Sequence, residues 1–173
     1  PCSSAASDVY KRQAKKHYSL TLTRIAQGGL FDVLGGGFSR YAVDERWHIP
    51  HFEKMGYDNG LLLSTFSRAY ADDAKALYGE VVTKTVHFLK TELRHSEGGF
   101  YASLDADSEN ISGQIEEGAY YSWTYDELQK VITSNFDMFC AYYNIREEQL
   151  WEGNRYVFWR SKTDSVFCET HAL

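Results

Sequence analysis

Two helical patterns follow one another with almost no chain between them, and this pairing limits the architecture more than any other feature. From about Pro50 to Tyr70, His51, Met55, Asp58, Leu62, Thr65 and Ala69 recur at three-to-four residue spacing, which predicts one face of a helix. From about Ala74 to Arg94, Leu77, Val81, Val82, Val86, Phe88, Leu89 and Leu93 form a second apolar stripe. The link Ala71-Asp72-Asp73 predicts an antiparallel helical hairpin. A third pattern, from about Lys15 to Leu34, runs through Leu20, Ile25, Leu30, Phe31 and Leu34 and contains Gly28-Gly29. Each glycine disfavours helix by about 1 kcal/mol relative to Ala, so the pair marks a break or the close approach of another backbone. The expected class is mainly α: helical hairpins with short β-hairpin insertions.

The remaining segments are shorter. Gly35-Gly36-Gly37 is expected to end the first helix, because glycine accepts positive φ. Phe38 to Ile49 predicts a hairpin turning at Asp44-Glu45, and Pro50 suits the first turn of the next helix. Phe100 to Leu104 and Ala119 to Trp123 read as strands. Thr124 with Glu127 forms a capping box for a helix from Tyr125 to about Thr133. A further short helix covers Asn135 to Tyr143, and the chain after Trp151 reads as strand or loop. Residues 1–13 join small residues to a basic cluster without apolar period, as in a linker or a non-native tail. The domain is therefore expected over 14–160, with 161–173 unassigned.

A formal charge of −6 and a pI near 5.5 argue against nucleic acid or an anionic membrane as partner. No apolar run is long enough to span a bilayer. Cys2, Cys140 and Cys168 are far apart and form no C-x-x-C, which fits thiols in a reducing compartment and favours the cytoplasm. The first residue is not Met, as in a fragment or a processed product, so a removed targeting segment stays open.

Chemistry concentrates between Gly35 and Asp58, where Arg40, Tyr41, Asp44, Trp47, His48, His51, Glu53, Tyr57 and Asp58 fall together. Near a predicted helix N-terminus, His51 could act as acid or base on a ligand hydroxyl, tuned by Glu53 or Asp58. A structural histidine bonded to a backbone carbonyl is the plainer alternative. Asp105 and Asp107 are two residues apart, so their carboxylates can face one side and divide acid and base roles. An acidic surface loop or a loop cap would have the same composition. Most of the 27 aromatic residues are expected in the core, while Tyr41, Trp47, Tyr101, Tyr121 and Trp123 are candidates to stack on a flat polar ligand. Asp105, Asp107, Glu109, Ile111 and Glu116 match EF-hand spacing, but Asn110 stands where glycine is expected and a strand precedes the loop. Neither metal nor cofactor is expected.

The strings Gly35-Gly36-Gly37-Phe38, Arg40-Tyr41, Val43-Asp44, Trp47 and Pro50-His51-Phe52-Glu53-Lys54-Met55, then Tyr57-Asp58, resemble the YyaL-type family of spermatogenesis-associated, thioredoxin-like proteins. The likeness continues through Gly98-Gly99-Phe100-Tyr101, Leu104-Asp105-Ala106-Asp107-Ser108, Glu117-Gly118, Tyr120-Tyr121, Trp123-Thr124 and Trp151-Glu152-Gly153, spanning roughly 28–160. Gly56, Asn59 and Gly60 depart from it, standing where bulkier residues are expected. The resemblance implies an N-terminal thioredoxin-like domain followed by an (α/α)6 toroid related to six-hairpin glycosidases and N-acylglucosamine 2-epimerases. This chain would be an early part of the toroid, and without a C-x-x-C it carries no assignable thioredoxin chemistry. The pocket of such a toroid would bring His51 to the loop at 105–118. His51, Glu53, Asp58, Asp105 and Asp107 would line it, and Arg40, Tyr41, Trp47, Tyr101, Glu117 and Trp123 would hold a sugar-like ligand for hydrolysis or epimerisation. The alternative is a non-enzymatic module presenting clients to the attached thioredoxin-like domain.

Overall fold

A computed structural model describes the backbone of residues 3–173 and the side chains from Asp8 onward. The architecture is mainly α. Helix α1 (Ser3–Gln27) begins within the predicted tail, and its side chains from Asp8 through Tyr18 are exposed, so no apolar period marks it. Pro1 and Cys2 of the predicted tail lie outside the described residues. The helix ends at Gln27, seven residues before the predicted Leu34. Gly28 and Gly29 run against another segment there, with Gly29 N–H donating to the Trp47 carbonyl at 2.9 Å. Leu30 to Phe38 instead fold into a tight loop closed by the Phe31–Phe38 bridge. Asp32 caps this loop, its Oδ1 accepting from the Leu34 and Gly35 N–H groups.

The largest departure lies between Pro50 and Met55, where the predicted helix is extended chain. Strand β1 (Tyr41–Ala42) pairs antiparallel with β2 (Pro50–His51), and β3 (Lys54–Met55) with β4 (Ser103–Leu104). The helix α2 (Gly56–Asp72) starts only where these pairings end, six residues late. His51 and Met55 therefore precede α2 and do not share a helix face with Asp58. Val43 N–H donates to the Ile49 carbonyl at 2.8 Å, which leaves Ala42–Pro50 as a pair that asks for no N–H from proline. Pro50 thus fits an edge strand as well as a helix start.

Beyond this point the predicted helices are present, while the helix Asp164–His171 and the acidic hairpin have no predicted counterpart. Helix α3 (Ala76–Phe88) packs on α2, joined by the expected short link, and closes with a π turn at Leu89–Leu93. Helix α4 (Tyr125–Val131) carries the capping box, with Thr124 N–H donating to Glu127 Oε2 at 2.7 Å. Helices α5 (Phe136–Tyr142) and α6 (Asp164–His171) follow, the latter inside the segment with no predicted element. The acidic stretch forms a hairpin of β5 (Asp107–Glu109) and β6 (Ile115–Glu117), and β7 (Ser122–Thr124) pairs with β8 (Arg155–Val157). An EF-hand loop is excluded by that hairpin, since ladder hydrogen bonds hold the carboxylates on extended backbone.

The core is largely aromatic. Phe31, Phe38, Phe66 and Tyr78 form a chain of rings with centroids 5.1, 5.5 and 5.7 Å apart. Asn59, fully buried, fixes α2 to the glycine loop: its Oδ1 accepts from Phe38 N–H at 2.7 Å, and its Nδ2 donates to the Phe38 and Met55 carbonyls. The residue that departs from the expected bulk is thus a polar bracket.

His48 is buried, 3.1 Å from the Val157 carbonyl through Nε2 and tilted over Trp159. Burial holds its pKa below the ordinary histidine value, against the opposing pull of the Val157 carbonyl and Asp44. A depressed histidine favours the folded state at neutral pH, and that contribution is lost as pH falls below about 6.5 toward the folded value. The urea midpoint is therefore expected to drop between about pH 7 and pH 5, with a flatter profile in His48→Asn.

Candidate functional site

The segment 51–54 alternates in the manner of a strand. Phe52 and Lys54 point inward, each 1% exposed, while His51 and Glu53 look outward. The outward pair gathers a polar group around it. His51 Nδ1 lies 2.8 Å from Glu117 Oε1, which also accepts the Phe52 N–H at 3.3 Å. Glu53 Oε2 is 3.6 Å from His51 Nε2 and 3.2 Å from Arg40 Nη1. Arg40 Nη2 donates to the Tyr57 hydroxyl at 3.1 Å. The ring of Tyr41, across the strand from His51, stacks on the imidazole with centroids 5.0 Å apart.

This arrangement has a definite chemical sense. An Nδ1–H donated to the Glu117 carboxylate fixes the neutral tautomer, leaving Nε2 to accept a proton. The His51 side chain is partly exposed, and Glu53 Oε2 lies beyond ordinary hydrogen-bond distance of Nε2. Arg40, raised above its ordinary pKa by Tyr57 and then Glu53 against an opposing desolvation effect, stays a cation beside them.

The predicted site residues divide into two sets. Arg40, Tyr41, His51, Glu53 and Glu117 come together as described. Asp107 joins their neighbourhood indirectly: it is the register partner of Glu117, and opposed residues of an antiparallel pair carry their side chains on one face about 5 Å apart. Asp105 caps its own loop, its Oδ1 accepting the Asp107 N–H at 3.2 Å. Asp58 lies in the first turn of α2, with no hydrogen bond or ion pair to the His51 group among the described residues. Tyr101 is exposed and meets His95 edge to face. Trp47 adopts a positive φ of 61° and offers its carbonyl to Gly29. Trp123 lies parallel to Phe158 and packs on the core. Asp44 and His48 are structural, Asp44 accepting from the Arg46, His48 and Ile49 N–H groups. Among the described residues, no three His, Cys, Asp or Glu side chains are placed to hold a metal ion. No described helix is long and apolar enough to cross a membrane.

On the inner side of Phe52 lies a cavity of about 410 Å³, between the Asp32 loop, the 109–111 hairpin tip and the Tyr121–Trp123 strand. Asp32 in its lining is held by Lys54, which donates to Asp32 Oδ2 at 2.8 Å and to the Gly36 carbonyl at 2.9 Å. Sequence reading passed over Asp32, Ser39 and Arg155 around this space. They sit far apart along the chain in unremarkable contexts, and only the fold joins them.

No family model matches the chain. It is 42% identical over 113 residues to human spermatogenesis-associated protein 20, and equally to the mouse protein, covering 65% of this chain and 14% of either relative. A Caenorhabditis elegans protein, B0495.5, is 35% identical, covering 83% of this chain and 21% of its own length. The chain thus spans about a seventh of the length of the mammalian relatives it matches. Over 65% of its length the chain is thus similar, at 40–42% identity, to the human, mouse and rat proteins named spermatogenesis-associated protein 20.

Proposed function

We propose that this chain is part of a sugar-binding (α/α)6 toroid whose His51 face performs acid/base chemistry on a sugar hydroxyl, in hydrolysis or epimerisation. The observation that carries this reading is the 2.8 Å contact between His51 Nδ1 and Glu117, on a partly exposed imidazole whose Nε2 lies 3.6 Å from Glu53. The stacked Tyr41 ring supplies an aromatic face, and Arg40 and Asp107 supply polar partners at the edge. The likeness to the YyaL-type family supports the toroid and the substrate class. The test is turnover of a sugar panel by the full-length protein. His51→Ala is expected to lower kcat by about 10²–10⁴-fold, the range for loss of a positioned acid or base. Glu117→Gln should lower it less and shift the pH profile. Wild-type turnover in both variants removes the assignment.

A second reading rests on exposed apolar surface next to the same group. Tyr41, Val43 and Tyr57 are each more than half exposed, a surface that suits an extended polypeptide and so a module presenting clients to an attached thioredoxin-like domain. Binding of thiol-bearing peptides without sugar turnover would favour it.

A further inference from the structure

The cavity behind Phe52 is chemically unlike the His51 face. Its walls are ring surfaces: Phe52 lies parallel to Tyr121 at 5.8 Å, and Trp123 parallel to Phe158 at 6.5 Å. Three of the four charges in its lining are already engaged, and the fourth, Glu109, is exposed at the edge of the hairpin. Asp32 is held by Lys54 and by two backbone N–H groups. Glu127 accepts from Thr124 N–H and Oγ1, with Arg155 Nη2 3.7 Å away. Arg155 donates to Ser122 Oγ and to the Ala119 and Ser122 carbonyls. Besides that of the exposed Tyr120, two hydroxyls remain. Ser39, only 3% exposed, and Tyr121 make no side-chain hydrogen bond with any described residue. Burial pushes the Tyr121 hydroxyl far above the ordinary tyrosine range, so it persists as a neutral donor.

These features select a ligand. An anion entering the space would meet the carboxylates of Asp32 and Glu127. A cation would find both already partnered and only the solvent-exposed Glu109 without a partner among the described residues. A sugar would bring many hydroxyls to a lining with few free polar groups, leaving most of them desolvated and unpaired. A volume of about 410 Å³ lies within the usual range for small-molecule sites.

We propose that this cavity is a second binding site, separate from the His51 face, for an uncharged, flat, mostly apolar molecule carrying one hydroxyl: an aromatic alcohol in kind. Its ring lies against the aromatic walls, and its hydroxyl pairs with Ser39 and Tyr121. Ile111, which lines the mouth and is 91% exposed, gains apolar contact when the space is filled.

Titration calorimetry on the full-length protein with benzyl alcohol tests this, with benzoate, benzylamine and methyl glucoside as comparisons. Benzyl alcohol is expected to bind at least about tenfold more tightly than each of the three. Tyr121→Phe and Ser39→Ala each remove a hydroxyl without removing a structural bond, and each is expected to weaken binding about fivefold to tenfold. His51→Ala should leave it within about twofold. Absence of benzyl alcohol binding, equal binding of a charged analogue, or insensitivity to both hydroxyl deletions overturns the proposal. Loss of binding in His51→Ala overturns it too, by moving the ligand to the outer face. Sugar turnover by the same variants is a separate readout, so the acid/base reading and the cavity site stand or fall independently.

Discussion

Replacing Lys54 with Met is expected to lower the unfolding free energy by about 3–5 kcal/mol, the usual cost of removing one partner from a buried ion pair. Lys54 is 1% exposed, and its ammonium is held by Asp32, the Gly36 carbonyl, and the faces of Phe88 and Tyr121 at 4.8 and 4.5 Å. Met keeps most of the volume, so the loss measures electrostatics and not a void. It leaves the Asp32 carboxylate without its cation in a largely buried setting. The double variant Lys54→Met/Asp32→Asn should recover part of the loss, because the amide oxygen still accepts from Leu34 and Gly35 while no charge is stranded. Asp32→Asn alone has a pH signature. Burial already lowers the Lys54 pKa, with Asp32 opposing the shift. Without Asp32 the folded value falls further, so stability should rise with pH across the window between that value and about 10.4. Urea midpoints of the three variants measure all of this, and an unchanged midpoint in Lys54→Met would show the pair to be energetically idle.

Gly29→Ala is expected to cost more than about 4 kcal/mol, enough to leave a protein of ordinary stability largely unfolded. A Cβ at position 29 would stand 1.7 Å from the His48 carbonyl oxygen, and one at Gly28 would stand 2.4 Å from that of Trp47. Both obstacles are backbone, so relief requires moving the whole 44–49 loop, which Asp44 holds with three hydrogen bonds. That loop leads directly into β2, and the His51 group would move with it. Gly60→Ala is the matched control. Gly60 lies inside α2 with nothing within 4 Å of a built Cβ, so alanine there should stabilise by about 0.5–1 kcal/mol. Opposite signs at two glycines of one chain, read as urea midpoints, would separate close approach from helix propensity.

The His51-Phe52-Glu53-Lys54-Met55 string shows how two periods compete. Over 50–70 the three-to-four residue spacing is real for α2, and extending it backward by six residues looked natural because Pro50 suits a helix start. The same residues also alternate with period two, but with a lysine on the inward side. Alternation is normally recognised by apolar residues facing in, and Lys54 conceals it. Its burial depends on Asp32, contributed by a loop 22 residues earlier, so no local pattern announces it. The acidic hairpin was hidden differently: its strands are rich in Asp and Glu, which have poor strand propensity. It is held by register pairing and by the grip of His51 on Glu117.

Local chemistry in the chain was sufficient for the α2–α3 hairpin, the Thr124–Glu127 cap and the short α5. In each case the deciding contacts lie within a few residues, or the apolar stripe is long enough to need no partner for recognition. Contacts across 65 or more residues decided the rest: which way His51 faces, which carboxylate holds it, and which rings enclose the space behind Phe52. Extended segments of two or three residues cannot satisfy their backbone hydrogen bonds within themselves. Their conformation belongs to whichever strand lies alongside, and that neighbour exists only once the chain has folded.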